Sequence, residues 1–346
     1  MSENLEHKDR SDSVDDGRIT RREFESQVAR GALALSLTSA ATADNNPAMA
    51  QHHEATELEA LWEAQQETCD AIAKQGLQRY VSSLSLEDQQ AMFYSQECVE
   101  NCRCVACADE RIRTPDLHET QPVALIRVAG SWILEASQEP GANPLAPSFV
   151  RKIATRARAQ GIKIFTGHYR CGAAKLAFIA YLEANGRGNE VMDITDDKVK
   201  DFNQQFVNAV VAEMKTQAEE NEREEIRADF IDKLDGPEDF HPGRAIVIDE
   251  TGTYDSSNSS LPVAFVETIV DGNIVRTLGD VDVLISKITM SDHGWNKKFT
   301  EKPSEQLLVL CVAKSEASLK TILDKARAFV ASKPWAKQVR VEGMVR

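Results

Sequence analysis

The sequence contains no uninterrupted apolar run of about 18 or more residues, so we expect no transmembrane helix. It also lacks an excess of positive charge, since 40 Lys and Arg stand against 55 Asp and Glu, for a formal net charge of −15. Nucleic-acid binding requires a basic face, and anionic membrane surfaces repel an acidic protein, so we expect neither partner. With 346 residues, 42% of them hydrophobic, the chain can bury the core of a globular protein.

The cysteines do not form the pattern of a small secreted disulfide protein. There are seven, an odd number, and four of them crowd into ten residues, at Cys98, Cys102, Cys104 and Cys107. One interpretation is a metal or iron–sulfur site, although the spacing C-x3-C-x-C-x2-C matches no familiar cluster. Another is a redox-active Cys-x-x-Cys pair formed by Cys104 and Cys107. Both alternatives stay open on the sequence.

Cys107 also belongs to a set of three metal-ligand candidates that is split along the chain. The other two are His168 and Cys171, which lie where a β-like run over 162–167 meets a helix-like run over 173–178. Two thiolates and one imidazole leave the fourth position of a tetrahedral zinc ion open for water or substrate, as in catalytic zinc sites. The alternative is that His168 is a satisfied core histidine and Cys171 is a buried free thiol.

Three short motifs contain these ligand candidates and their neighbours. They are Cys107-Ala108-Asp109-Glu110-Arg111, Arg127-Val128-Ala129-Gly130 and His168-Tyr169-Arg170-Cys171-Gly172. In this order they resemble the β-class carbonic anhydrases, which carry Cys-x-Asp-x-Arg, an Arg-x-Ala-Gly strand end and His-x-x-Cys-Gly. The resemblance covers roughly residues 100 to 185. The chain departs from the family's usual residues at Glu110, Val128 and Ser131.

The resemblance implies a lyase, a carbonic anhydrase (carbonate dehydratase). Such an enzyme uses zinc to hydrate carbon dioxide reversibly to bicarbonate and a proton, through a zinc-bound hydroxide. Cys107, His168 and Cys171 would then be the zinc ligands. Asp109 would either accept a hydrogen bond from the hydroxide or enter the fourth position of the zinc ion and close the site.

The residues themselves support a pairing of Asp109 with Arg111. If the chain is extended after Cys107, alternation puts the side chains of Cys107, Asp109 and Arg111 on one face. Arg111 can then hold Asp109 through charge-assisted hydrogen bonds. The alternative is an exposed ion pair, which contributes little to stability.

Two other functions fit the same residues. The departures at Glu110 and Val128 allow a non-catalytic zinc-bearing assembly or scaffold protein that keeps the fold without turnover. An intact site with a different substrate would instead act on a related small molecule, such as carbonyl sulfide or carbon disulfide.

Alternation of strand-like and helix-like runs predicts an α/β fold with a mostly parallel β-sheet flanked by helices. Strands are expected near 122–128, 162–166, 245–248 and 307–312, helices near 148–160, 171–185 and 315–331, and a hairpin around a turn at 271–273. Functional residues of such sheets gather at the carboxyl ends of the strands. Cys107, Gly130 and His168 would all fall there.

We expect four segments along the chain. Residues 1–55 would be a disordered tail or signal, 56–97 an N-terminal helical arm, 98–260 the zinc-binding core, and 261–346 a C-terminal α/β extension. In the resembled family, N-terminal helices wrap a neighbouring subunit, so we expect a homodimer or a higher homo-oligomer. An ordinary helix covering its own subunit is the alternative.

The N-terminal segment has features of a twin-arginine export signal. Arg21 and Arg22 precede a mildly apolar stretch over 31–37 and small residues over 41–43. A short amphipathic helix in a disordered tail is the alternative. The protein would be periplasmic if the signal is genuine and cytoplasmic otherwise.

Overall fold

The computed structural model describes residues 60, 63, 65–95, 103–112, 124–138, 143–232, 243–256, 259–290 and 307–346. Its strands form two four-stranded sheets in which every strand pairs in parallel with its neighbours. The predicted α/β fold, with parallel strands flanked by helices, is therefore confirmed. The predicted signal or tail over 1–55 lies outside the described residues.

Four of the strands, β3, β5, β6 and β7, are buried along their whole length, as expected for strands covered on both faces. In chain order the described strands are β1 Arg103–Ala106, β2 Ala124–Arg127, β3 Ile164–His168, β4 Arg227–Ile231, β5 Ala245–Asp249, β6 Val263–Thr268, β7 Leu307–Ala313 and β8 Val339–Val345.

Helices lie between and beside these strands. A helix over 65–75 precedes the numbered ones, and short 3-10 turns lie between several elements. The numbered helices are α1 Leu77–Ser83, α2 Leu86–Ala91, α3 Glu135–Gln138, α4 Pro147–Ala159, α5 Gly172–Ala184, α6 Asp196–Gln217, α7 Ile274–Met290 and α8 Glu316–Ala331.

The two sheets share one topology. The first has the order β2-β1-β3-β4 and the second the order β6-β5-β7-β8. In each sheet, the strand that comes second in sequence lies at one edge, and the strands that come first, third and fourth follow it across the sheet. We call the described residues of 103–232 the first unit and those of 243–346 the second unit. Because β5 belongs to the second sheet, that sheet has strands on both sides of the predicted boundary at residue 260.

Helix α4 illustrates how the local sequence determines an element of the first unit. Pro147 lies in its first turn, where the missing N–H is tolerated. Phe149, Val150 and Ile153 lie on its buried face and pack into the core of the first unit. Gly161 follows with a φ of 67°, a left-handed conformation that ends the helix.

The N-terminal helices cover the second sheet of their own chain. Ile72 and Leu77 belong to one buried cluster with Val247 of β5 and Leu310 of β7. This is the arrangement expected of an ordinary cover helix, so the helical arm no longer argues for a neighbouring subunit. The homo-oligomer stays a prediction.

One local prediction is wrong. The run after the turn at 271–273 is not the second strand of a hairpin but helix α7. Ile274, Leu278, Val281 and Ile285 are all buried on that helix, at the three- to four-residue spacing of an amphipathic helix. The charged region after α6 also contains a strand, β4, which the sequence did not indicate.

Membrane-crossing helices are not found in the described part of the chain, where no helix combines the length and apolar character that a bilayer requires.

The N-terminal packing predicts a sharp contrast between two leucines. Leu77 is fully buried against the second sheet, whereas Leu86 of α2 is 69% exposed. Leu77→Ala should lower the free energy of unfolding by about 2–5 kcal/mol, because it leaves a cavity. Leu86→Ala, the matched control, should change it little, and urea unfolding of both variants measures the difference. Equal effects would contradict this packing.

Candidate metal centre

The three ligand candidates meet at the carboxyl edge of the first sheet. Cys107 directly follows β1, and His168 is the last residue of β3. Cys171 lies two residues after Tyr169 and is the N-cap of helix α5. The turn that contains Gly130 follows β2 at the same edge. The sequence-based placement at strand ends is therefore confirmed.

Their ligand atoms converge closely enough to hold one ion. The two sulfurs and an imidazole nitrogen all lie within 4.8 Å of one another, and the sulfurs of Cys107 and Cys171 are 4.0 Å apart. Two sulfurs bound to one tetrahedral zinc ion, at about 2.3 Å each, would lie about 3.8 Å apart. The side chains of Cys107, His168 and Cys171 are 7%, 2% and 1% exposed. This buried Cys-His-Cys group can hold a metal ion.

The imidazole of His168 is oriented for ligation. Its Nδ1 lies 2.8 Å from the carbonyl oxygen of Tyr169, and because a carbonyl can only accept, Nδ1 carries the proton. The lone pair of the neutral ring is then on Nε2, which is buried and makes no hydrogen bond. An unsatisfied buried nitrogen is costly, and a bound cation would satisfy it. Asn203 Nδ2 holds the backbone of His168 by donating to its carbonyl oxygen at 3.2 Å.

Backbone N–H groups are aimed at both sulfurs. Gly130 N donates to Cys107 Sγ at 3.1 Å, and Ala174 N donates to Cys171 Sγ at 3.4 Å in the first turn of α5. Such donors, and the positive end of a helix, stabilise a thiolate. The neighbouring Cys171 thiol and burial raise the pKa of Cys107 well above its ordinary value. Metal binding must therefore displace protons from the group.

The turn after β2 has an unusual backbone that brings Gly130 against the ligands. Gly130, Ser131 and Trp132 have φ values of 57°, 53° and 70°. A Cβ at Gly130 would lie 2.6 Å from the side chain of Ile133 and 2.7 Å from that of Ala173. Glycine is thus required here both by conformation and by space.

Asp109 and Arg111 form a buried pair beside Cys107. Asp109 Oδ1 accepts from Arg111 N at 3.1 Å and Nε at 2.9 Å, and Oδ2 accepts from Nη2 at 2.7 Å. Both side chains are almost fully buried, so this is not an exposed ion pair. Burial lowers the pKa of Arg111, but the adjacent Asp109 outweighs it and the net pKa is raised. The carboxylate of Asp109 is not among the converging ligand atoms.

The loop that contains this pair is held by Arg127, the last residue of β2. Its Nη1 donates to the carbonyl oxygen of Asp109 at 2.6 Å, and its Nη2 donates to that of Ile112 at 2.7 Å. Glu110, one of the departures from the resembled family, lies between the paired residues. Burial and the adjacent Asp109 raise its pKa well above the ordinary value, which favours the neutral acid.

The four-cysteine alternative receives no support from the described residues. Cys104 is buried within β1, its Sγ contacts the carbonyl oxygen of Val105, and it does not belong to the converging group. Cys104 and Cys107 are not joined by a disulfide. Cys98 and Cys102 lie outside the described residues.

The corresponding strand ends of the second unit carry different residues. Glu250 directly follows β5, the counterpart of β1, which Cys107 follows in the first unit. Lys314 directly follows β7, the counterpart of β3. Among the described residues, Cys107, His168 and Cys171 form the one group of three ligand atoms close enough for an ion. The shared topology therefore comes with a single candidate metal-binding group in the described part of the chain.

Sequence reasoning missed several residues that shape this site. The hydroxyl of Ser131 donates to the carbonyl oxygen of Thr166 at 2.7 Å and so anchors the left-handed turn, although the sequence marked Ser131 only as a departure. Asn203 and Glu267 reach the site from α6 and β6. No local motif could identify them, because their roles depend on tertiary contacts.

The comparisons with known proteins give no match: no protein-family model, no curated protein sequence and no solved structure matches the chain.

Gly130→Ala should abolish stoichiometric binding of added Zn²⁺, because the new methyl group must displace the side chains of Ile133 and Ala173 beside Cys171. Gly186→Ala is the matched control. Its φ of 70° imposes a similar backbone cost, but a Cβ there meets nothing within 4 Å. Metal analysis after gel filtration measures the outcome. Equal zinc contents would show that the close packing at Gly130 does not shape the site.

Proposed function

We propose that the buried group binds zinc. Two thiolates and one imidazole are ligands that zinc prefers, and three protein ligands leave its fourth position open. The unpartnered Nε2 of His168 and the 4.0 Å separation of the two sulfurs support this assignment. When bound, such an ion acidifies a coordinated water and so supplies a nucleophile near neutral pH.

We propose further that the protein is a carbonic anhydrase of the β class, which converts carbon dioxide and water to bicarbonate and a proton. The observation that carries this proposal is the combination of an open Cys-His-Cys set with the buried Asp109–Arg111 pair directly after Cys107. The order of the three sequence motifs supports the same family.

In this proposal Asp109 orients the attacking water by accepting its hydrogen bond. Arg111 fixes the carboxylate through three hydrogen bonds, two to Oδ1 and one to Oδ2. In this conformation the Asp109 carboxylate is not among the converging ligand atoms. Arg111 therefore keeps the fourth position available to water, and Arg127 holds the loop in which both residues lie.

The surroundings of the group suit a small neutral substrate. Cys107 and Cys171 belong to the same buried apolar cluster as Val128, Trp132 and Ile133. The apolar residues packed around the two sulfurs favour a neutral molecule such as carbon dioxide over charged competitors. Exclusion of bulk water from the buried group also strengthens the electrostatic effect of a bound cation.

Asp109→Ala should leave zinc bound but lower the rate of carbon dioxide hydration by about 10²-fold or more, the range typical of a lost general acid–base contribution. The wild-type rate should rise with pH as the bound water ionises. Stopped-flow measurement with a pH indicator, normalised to zinc content, gives both results. Glu190→Ala is the control. Like Asp109, Glu190 is a carboxylate held by an arginine, here Arg187 through two hydrogen bonds, but it is exposed at the surface.

The outcomes separate the alternatives. An Asp109→Ala rate within a factor of about three of wild type would remove the proposed role, because acid–base catalysis contributes about 10²–10⁴-fold. Zinc-loaded wild-type protein that hydrates no carbon dioxide but hydrolyses carbonyl sulfide or carbon disulfide would indicate the other substrate class. Zinc-loaded protein that turns over none of these would favour the scaffold function.

A further inference from the structure

Strand β6, at the edge of the second sheet, lies against the site of the first unit. Val266 N donates to the carbonyl oxygen of Ala108 at 2.8 Å, and Glu110 N donates to that of Ala264 at 3.2 Å. These two hydrogen bonds bracket an antiparallel bridge between Asp109 and Phe265. The backbone on both sides of Asp109 is therefore fixed by the second unit.

The end of the same strand reaches the other wall of the site. Glu267 Oε2 accepts from Ala129 N at 3.0 Å, and the hydroxyl oxygen of Thr268 accepts from Arg127 N at 3.0 Å. Strand β6 thus contacts both the loop that contains Asp109 and the turn that contains Gly130. Both segments belong to the first unit, and strand β6 of the second unit, which is distant from them in sequence, contacts both.

The turn needs such restraint. Ser131 and Trp132 adopt left-handed conformations that cost roughly 1–3 kcal/mol each for residues other than glycine. Such conformations persist only where the surrounding contacts over-determine them. One contact is the hydrogen bond from the Ser131 hydroxyl to the carbonyl oxygen of Thr166, within the first unit. Another is the hydrogen bond from Ala129 N to Glu267 Oε2, at the start of the turn.

We infer that Glu267 is a positioning residue for the metal centre, acting through the turn. By accepting from Ala129 N, it fixes the peptide that follows, so that Gly130 N donates to Cys107 Sγ. Hydrogen bonds to a ligand sulfur reduce its electron donation and tune the bound metal. The second unit, with Glu250 and Lys314 at its own strand ends, thereby completes the site of the first. This role rests on the proposed metal centre.

The surroundings of Glu267 determine which variants are informative. The side chain is fully buried, with Arg276 Nη1 3.5 Å from its Oε1. Burial, reinforced by the nearby Asp280, raises the pKa of Glu267 well above its ordinary value. Because the neutral acid is favoured, Glu267→Gln preserves both shape and acceptor, whereas Glu267→Leu removes the acceptor at similar volume.

A second variant removes the same hydrogen bond from its donor side. Ala129→Pro deletes the N–H at the first position of a 3-10 turn, where proline is tolerated. The preceding Val128 has φ −147° and ψ 144°, the extended conformation that a residue before proline adopts. This variant keeps Glu267 and its charged neighbours in the sequence, but the proline Cδ replaces the hydrogen that points at Oε2, so the carboxyl group must move away from the turn.

The test loads the full-length protein with Co²⁺ and records its visible absorption and its affinity in competition with a chelator. Glu267→Leu and Ala129→Pro should each shift the thiolate bands and weaken metal binding, typically about 10–100-fold for a residue that supports a ligand. Glu267→Gln should restore the wild-type spectrum. The Leu and Pro changes combined should be no worse than either alone, because both remove one hydrogen bond.

Asp249→Leu is the control for general destabilisation. Asp249 is a buried carboxylate in neighbouring β5 whose side chain accepts from the backbone of Thr251, Thr253 and Tyr254, none of which belongs to the turn. Its loss should lower the unfolding temperature without moving the cobalt bands. Wild-type spectra and affinity in both Glu267→Leu and Ala129→Pro would overturn the inference. Failure of the wild-type protein to bind Co²⁺ or Zn²⁺ would instead overturn the metal centre itself.

Discussion

The convergence of two thiols and an imidazole in a buried space is the constraint on which the rest of the site depends. The sulfurs of Cys107 and Cys171 lie 4.0 Å apart, and His168 Nε2 is buried without a hydrogen-bond partner. A protein interior does not favour such an arrangement, because the nitrogen has lost its contact with water and faces two thiols in place of a strong hydrogen-bond donor. A cation with an affinity for sulfur and nitrogen would convert the cost into a stabilising interaction, and the N–H groups of Gly130 and Ala174 already point at the sulfurs.

Much of this site is assembled by parts of the chain that are distant in sequence. Arg127 holds the loop that contains Asp109, Ser131 anchors the left-handed turn to β3, and Glu267 holds that turn from the second unit. The second unit repeats the strand order of the first, with Glu250 and Lys314 at the corresponding strand ends. Its contribution to the site in our account is structural support, supplied along the edge strand β6.

The sequence predicted the local parts of this arrangement and missed the parts that depend on tertiary contacts. Cys107, His168 and Cys171 could be found because each lies in a short motif at a strand end, where parallel sheets place functional residues. The pairing of Asp109 with Arg111 was predicted from alternation along an extended chain. The pair is present, but residues 110 and 111 form a turn, in which Asp109 Oδ1 accepts from Arg111 N. Glu267 and Asn203 could not be found, because nothing near them in sequence indicates what they contact. The hairpin predicted around Gly272 was wrong because the turn signal was given more weight than the helical spacing of Ile274, Leu278 and Val281.

X-ray absorption at the zinc edge of the purified full-length protein tests the central claim most directly. The account predicts about one zinc per chain, with two sulfur ligands at about 2.3 Å and two nitrogen or oxygen ligands at about 2.0–2.1 Å, one from His168 and one from solvent or substrate. Replacing Cys171 by serine should remove one sulfur from that shell or abolish binding. A shell of four sulfurs, or an iron–sulfur signal in place of zinc, would contradict the account and return the metal to the Cys98, Cys102, Cys104 and Cys107 cluster.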